Sequence, residues 1–246
     1  MKVLNKIFII LMSCLLFNAN AMGQGMNFYD EPIEAKIMFV PMGFDDNDNA
    51  QVVLEGWLPD SCSKILPPVI NYDLPKGDIE VVLMVRRYNM LCIPLESRFS
   101  VVADLGPIPY GDYKIYNKLG SIEKDLSIME SSNSGPDDEL YAYVRNVVLD
   151  YAPDLVRDGE RGKWSVLLEG DFLDSCERFS DIELLEQDDV FVILPKIKSE
   201  GEICADIVIP FVRRVDLPQL DDNRYLVHVR KRNGQADNQV FSARPN

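Results

Sequence analysis

The pattern of apolar positions changes character after residue 21. Ahead of that point Lys2 and Lys6 precede an unbroken apolar stretch from Ile7 to Phe17, and Ala19-Asn20-Ala21 places small residues where a signal peptidase reads them. This predicts a leader over residues 1–21, cut after Ala21. Its apolar core of about 11 residues is well short of the ~20 that a bilayer-spanning helix needs. A rival reading takes Leu11-Met12-Ser13-Cys14 as a lipoprotein box, with the chain anchored through acylated Cys14.

From residue 22 onward the apolar residues alternate with polar ones, or come in short β-branched runs bounded by Gly, Pro, Asn and Asp, which is the signature of strands. Strands are predicted near residues 35–40, 51–57, 68–72, 79–87, 98–102, 112–116 and 121–128. A second series falls near 141–150, 165–172, 182–185, 190–195, 207–213, 225–231 and 238–242. Seven strands per series suit a β-sandwich. The expectation is therefore an all-β chain of two tandem sandwiches, 33–129 and 140–246, with an N-terminal segment over 22–32. Residues 130–139 contain no hydrophobic side chain and several turn formers, and read as a linker.

An internal repeat supports the division. Val53 to Cys62 aligns with Leu167 to Cys176 at an offset of 114, with six of ten positions identical: Leu54, Glu55, Gly56, Asp60, Ser61 and Cys62 recur. Cys92, Phe99, Asp104, Leu105 and Tyr113 then match Cys204, Phe211, Asp216, Leu217 and Tyr225 at a constant offset of 112. Loss of Cys14 with the leader leaves four cysteines, an even number that suits disulfides in an oxidising compartment. Of the three possible pairings, strand parity permits Cys62 with Cys92. Two further strands separate them, so the chain returns to the same end of the sheet. Cys176 with Cys204 follows by the repeat, and a crossed pairing would have to bridge the two units across the linker.

The last hairpin of each unit carries a local signal. Gly111 and Asn223 are placed to adopt a left-handed turn, and each is followed by a tyrosine, Tyr113 or Tyr225, that starts an alternating strand. The phenols are predicted to bond back across the turn as a tyrosine corner. Asn233-Gly234 predicts a type I′ turn, with Leu119-Gly120 as a weaker counterpart. Leu-Pro-Asp-Ser-Cys after a strand, a second cysteine, then a turn and a tyrosine together resemble the immunoglobulin-like or fibronectin-like sandwich repeats of exported bacterial proteins. The resemblance implies architecture and no activity. It departs from immunoglobulin domains in its disulfide, since there the bridge spans both sheets and the tyrosine sits two residues before the second cysteine.

Charge narrows the function. With 25 Lys plus Arg against 40 Asp plus Glu, the net charge is −15, or −17 without the leader lysines, which argues against nucleic acid or an anionic membrane as partner. His228 is the single histidine, so sites built on several imidazoles are excluded. No Gly-x-Ser-x-Gly elbow, His-Glu-x-x-His helix or phosphate-binding glycine loop is present, and neither catalysis nor a cofactor is expected. Alternation places His228 outward with Leu226 and Arg230, as an exposed strand histidine.

The repeated acids Glu55, Glu169, Asp60 and Asp174 admit a carboxylate-hydrolase reading, but a structural one is favoured: Asp holding a turn at a strand exit, and Gly56 and Gly170 allowing a bulge or close packing. The loop Asp45-Asp46-Asn47-Asp48-Asn49 concentrates oxygens as calcium would want. It lacks the spacing and distal Glu of a calcium loop, and the corresponding stretch from Asp158 to Lys163 brings cations, so a solvated turn is favoured. Charge is uneven, net −11 over residues 22–139 and −6 over 140–246. Arg213, Arg214, Arg224, Arg230, Lys231 and Arg232 gather in the later strands of the second unit. Ordinary surface charge flanking a strand is favoured, because the unit stays acidic overall, and the alternative is a basic patch in which Arg230, Lys231 and Arg232 meet an acidic partner or the first unit of a second copy. Trp57, matched by Asp171 in the repeat, is a candidate anchor for a partner, though a half-buried edge position is favoured.

The expected function is an exported, non-catalytic binding or adhesion module for a protein or surface polymer. The alternative is an accessory or inhibitory module that inserts the braced loop 58–62 into the cleft of an exported enzyme.

Overall fold

The computed structural model describes residues 27–132, 139–152 and 162–243. The expected leader with Cys14, the middle of the expected linker and most of the stretch 158–163, matched in sequence with loop 45–49, lie outside the described residues. The chain is all-β. The strands of its first half are β1 (Phe28–Ile33), β2 (Ile37–Phe39), β3 (Phe44–Asp45), β4 (Ala50–Leu58), β5 (Ser63–Ile65), β6 (Val69–Asp73), β7 (Asp78–Tyr88), β8 (Ser97–Gly106), β9 (Gly111–Asn117) and β10 (Ile122–Met129). Those of the second are β11 (Tyr143–Ala152), β12 (Lys163–Phe172), β13 (Glu177–Gln187), β14 (Val190–Ser199), β15 (Ile209–Asp216), β16 (Arg224–Lys231) and β17 (Gln235–Ser242).

Each half pairs a three-stranded sheet with a larger one. β2-β4-β8 faces a seven-stranded sheet built on β7-β9-β10, and β11-β12-β15 faces β13-β14-β16-β17. In both halves a strand leaves the larger sheet, passes through the facing sheet as β8 or β15, and returns beside its starting strand. β7 and β9 are therefore parallel, as are β14 and β16. Immunoglobulin sandwiches are built from two antiparallel sheets, so this connectivity differs from theirs.

Three apolar layers separate the four sheets. Val52 and Leu54 of β4 pack with Ile79, Val81 and Leu83 of β7 and Ile115 of β9 in the first. Val166 and Leu168 of β12 pack with Phe191, Ile193, Val227 and Val229 in the last. Between them the opposite faces of the same strands meet: Phe39 and Val53 from the first half, and Val190, Val192, Leu194 and Leu226 from the second. The outer face of β2-β4-β8 thus packs on the outer face of β13-β14-β16-β17. This explains why β4, β14 and β16 carry near-continuous apolar runs, since a strand buried on both faces has no polar side to alternate.

The repeated motif builds the same clasp twice. Asp60 Oδ1 accepts the amide of Cys62 at 2.9 Å, and Asp174 Oδ1 that of Cys176 at 2.7 Å. Ser61 donates its amide to the carbonyl of Ile93 and accepts the Ile93 amide on its hydroxyl, and Ser175 does the same with Ala205. The clasp brings the second cysteine home, and the disulfides are Cys62–Cys92 and Cys176–Cys204. The glycines of the motif are shaped by close approach. A Cβ on Gly56 would sit 2.6 Å from the ring of Phe99, its cross-strand partner, and Gly170 lies in the same way under Phe211.

Of the turn residues, Gly111 has φ +146° and Asn233-Gly234 has φ +64° and +66°. Asn223 does not take the left-handed conformation expected of it. Its side chain instead donates to Asp189 at 2.7 Å and accepts the Arg224 amide at 2.8 Å, which holds the turn by hydrogen bonds. In the Leu119-Gly120 turn it is Ser121 that has positive φ. Tyr113 donates to the carbonyl of Pro109 at 2.7 Å, while the Tyr225 hydroxyl accepts the amide of Asp221 at 3.2 Å.

Candidate functional site

The contact between the halves contains several of the residues that the sequence singled out for chemistry. Glu55 is buried at the end of β4, and both its oxygens accept from Arg224 of β16, at 3.0 Å from Nε and 2.5 Å from Nη2. Arg230 meets Asp48 at 3.0 Å, donates to the carbonyl of Gly43 and lies over the ring of Phe44. Gln51 accepts from Asn238 at 2.7 Å and donates to Asp104 at 2.5 Å. Two arginines of the second half, Arg224 and Arg230, thus meet the acidic first half within one chain.

Four expectations are corrected here. Arg230 is buried and is not a contact for an outside partner. Lys231 and Arg232 are mostly covered and paired, with Asp237 at 3.0 Å and Glu177 at 2.5 Å. His228 points away from the core of its own sandwich, as alternation required, but that face is covered by the first half and the ring is wholly buried. The loop 45–49 is not a solvated turn: Asp45 and Asp48 are buried, each accepts the other's amide, and Asp48 binds Arg230.

His228 sits edge-on to Phe44, with Nδ1 2.8 Å from Oδ1 of Asn238 and Nε2 without a partner. Burial, opposed by the Asn238 hydrogen bond and reinforced by nearby Arg230, pushes its pKa down to about 4. The unfolded chain binds a proton near pH 6.5 that the folded chain refuses, so stability falls as pH drops from about 6.5 to about 4. The loss should total about 3 kcal/mol. Between pH 6.5 and 5, where carboxylates contribute little, denaturant unfolding should show this slope in the native chain and a nearly flat profile in His228→Phe. An equal slope in both would refute the assignment.

The other repeated acids are also engaged. Glu169, the counterpart of Glu55, is half-exposed and accepts from Asn146 at 3.2 Å. Asp60 adds an ion pair to Arg87 at 3.0 Å. The two Asp-Cys-Cys clusters that could be read as metal sites are the disulfide clasps themselves. A groove of about 460 Å³ between the halves is lined by Met38, Lys114, Lys124 and Asp188 among others, and its charges pair with one another, Lys114 with Asp125 and Lys124 with Asp188.

Exposed apolar side chains gather elsewhere, at the disulfides. Leu91 is 97% exposed, and Met90, Ile93 and Leu95 are exposed beside it. Ile203, the counterpart of Leu91, is 93% exposed. Nothing in the sequence separates these residues from core positions by type; the signal was their place, between a strand end and a cysteine. By contrast the loop 58–62, expected as the inserting element, is half-buried for the most part and tied down by Asp60.

The two loops lie at opposite ends of the stack. Glu55, near the end of β4, meets Arg224 at the start of β16, while Asp48, ahead of β4, meets Arg230 near the end of β16. The strands therefore run antiparallel across the contact. Cys62 follows β4, and Cys176 adjoins Glu177, which pairs with Arg232 just beyond β16.

No family model, curated protein or solved structure matches this chain. Its functional reading therefore rests on its own residues. The disulfides indicate a non-reducing, exported environment. Among the described residues, no helix is long and apolar enough to cross a membrane.

The two ends differ in chemistry. Residues 89–95 (Asn-Met-Leu-Cys-Ile-Pro-Leu) carry no charge and are followed by exposed Glu96, whereas their counterparts, residues 201–207, include Glu202 and Asp206. At the first end Phe28 and Tyr29 are half-exposed on β1, and Trp57 is 42% exposed on β4. Arg86 stacks on Phe28 at 4.1 Å and Arg98 on Trp57 at 4.5 Å. Trp57 is partly covered by Arg98; Asp171 in its place at the other end pairs with Arg145 at 2.7 Å.

Proposed function

We propose that the chain is an exported, non-catalytic binding module that meets its partner through the uncharged loop 89–95 and its aromatic surround. The observation that carries this reading is Leu91, an aliphatic side chain left almost entirely in water next to a disulfide. Exposed leucine is common, but a contiguous apolar group held on a braced loop marks a contact surface. Bracing also lowers the ordering cost of association. Of the acids that would serve a hydrolase, Asp60 and Asp174 hold turns, Glu55 is in a buried ion pair and Glu169 accepts a hydrogen bond from Asn146, which favours binding over turnover.

The test uses the oxidised chain, without its leader, as bait in the detergent-free exported fraction. Retention should be saturable and should fall at least about tenfold in the double variant Leu91→Asp, Ile93→Asp, because each buried aliphatic side chain contributes about 1.5–3 kcal/mol. Ile203→Asp should leave it unchanged. Equal retention by all three proteins would remove loop 89–95 as the contact.

A further inference from the structure

The chemistry of the loop narrows the class of partner. We infer that loop 89–95 inserts into the interfacial region of a lipid surface with electrically neutral headgroups, an inference that rests on the binding role proposed above.

Three observations point to lipid. The first is that seven consecutive residues, 89–95, are without charge, and their most exposed member, Leu91, is aliphatic. A loop that selects a protein pocket ordinarily carries a few placed polar groups, and here Asn89 is the single polar side chain apart from the bridged cysteine. The second is the surround. Phe28, Tyr29 and Trp57 belong to the strands that end beside the loop: the Asn89 amide donates to the Asn27 carbonyl, Phe28 pairs with Tyr88, and Trp57 pairs with Arg98. Tyrosine and tryptophan favour the level of the headgroups, where an amphipathic ring is half in water, and arginines stacked on the rings keep their charge on the aqueous side. The third is the contrast inside the molecule. Ile203 has the same place and exposure at the other end, but Glu202 and Asp206 lie inside the matching stretch and would have to be dehydrated with it, whereas the acid of the first end, Glu96, follows the loop.

The net charge of −15 sets the headgroup preference. An acidic chain is repelled by an anionic surface, so attachment must come from apolar burial and not from attraction between charges. A protein pocket lined by apolar residues is the competing partner, and the test separates the two.

The experiment is co-sedimentation of the oxidised chain with phosphatidylcholine vesicles, with phosphatidylcholine–phosphatidylglycerol vesicles as a second arm. Tryptophan emission is followed in both. The wild type should bind phosphatidylcholine vesicles and shift its emission to shorter wavelength, and Trp57→Phe should bind but lose most of the shift. Leu91→Asp, Ile93→Asp should bind at least tenfold more weakly, and Ile203→Asp should match the wild type. Binding to the anionic vesicles should be weaker. All these variants change exposed side chains, and an unchanged unfolding midpoint confirms that each is folded.

Absence of vesicle binding by the wild type overturns the lipid inference, as does binding that is insensitive to Leu91 and Ile93 or stronger on the anionic vesicles. If vesicles fail while retention from the exported fraction still depends on Leu91 and Ile93, the partner is a protein or polymer and the binding role stands. If neither depends on these residues, both readings fall.

Discussion

Arg224→Met is expected to destabilise the chain by about 3–5 kcal/mol, because it strands the buried carboxylate of Glu55. The remaining cation near that carboxylate is Arg98, at 3.9 Å and more than a third exposed, which is too distant to replace a two-point contact. The identical residue of the repeat gives the control. Glu169→Gln changes a half-exposed side chain that accepts one amide hydrogen bond, and should cost no more than about 0.5 kcal/mol. The double variant Glu55→Met, Arg224→Met removes both charges from a site bordered by Val53 and Leu226, and should recover most of the loss. Urea unfolding of the three variants reads the contrast directly. Equal costs for Arg224→Met and Glu169→Gln would mean that the halves do not hold one another in solution as this contact requires.

That contrast also shows where sequence reasoning stops. Strand positions were legible because alternation and turn residues report local geometry, and the fourteen predicted stretches each overlap a strand. The cysteine pairing was legible because parity permits it, the repeat doubles it and a crossed pairing would have to span the linker. β1, β3 and β5 were not: β3 and β5 span two and three residues, and Phe28–Ile33 has no buried face to generate alternation.

The contact between the halves was missed for a different reason. Alternation says which side chains leave the core of their own sandwich, and it placed Leu226, His228 and Arg230 together correctly. It cannot say whether that outward face meets water or a second sheet. A signal was present in the runs Val190 to Leu194 and Tyr225 to Val229, where apolar residues occupy both parities. Outward aliphatics on several neighbouring strands imply that the outer face is covered too. The surplus of arginine in those strands, beside an acidic first half, was complementary charge awaiting a geometry. The loop 89–95 was hidden in the opposite way, since leucine and isoleucine next to a cysteine look like core.

Breaking either disulfide should cost a similar amount of stability but a different amount of function. The bridges close loops with sequence separations of 30 and 28 residues, so the chain-entropy estimate is roughly 3.5 kcal/mol for each. Cys62→Ala, Cys92→Ala and Cys176→Ala, Cys204→Ala should therefore shift the urea midpoint by comparable amounts. Retention of partner should separate them. Without Cys62–Cys92, residues 89–95 keep the two hydrogen bonds between Ser61 and Ile93 and lose their covalent tether, so the apolar loop must be ordered at the moment of contact. At about 0.5–1.5 kcal/mol for each side chain newly immobilised, Met90, Leu91, Ile93 and Leu95 together should weaken binding by roughly one and a half to four orders of magnitude. Loss of Cys176–Cys204, at the far end of the stack, should leave binding at the wild-type level under conditions where the protein stays folded. Equal weakening by both would show that the ends act together and would argue against a contact confined to loop 89–95. Unchanged binding after loss of the first bridge would mean that the clasp of Asp60 and Ser61 holds the loop without covalent help.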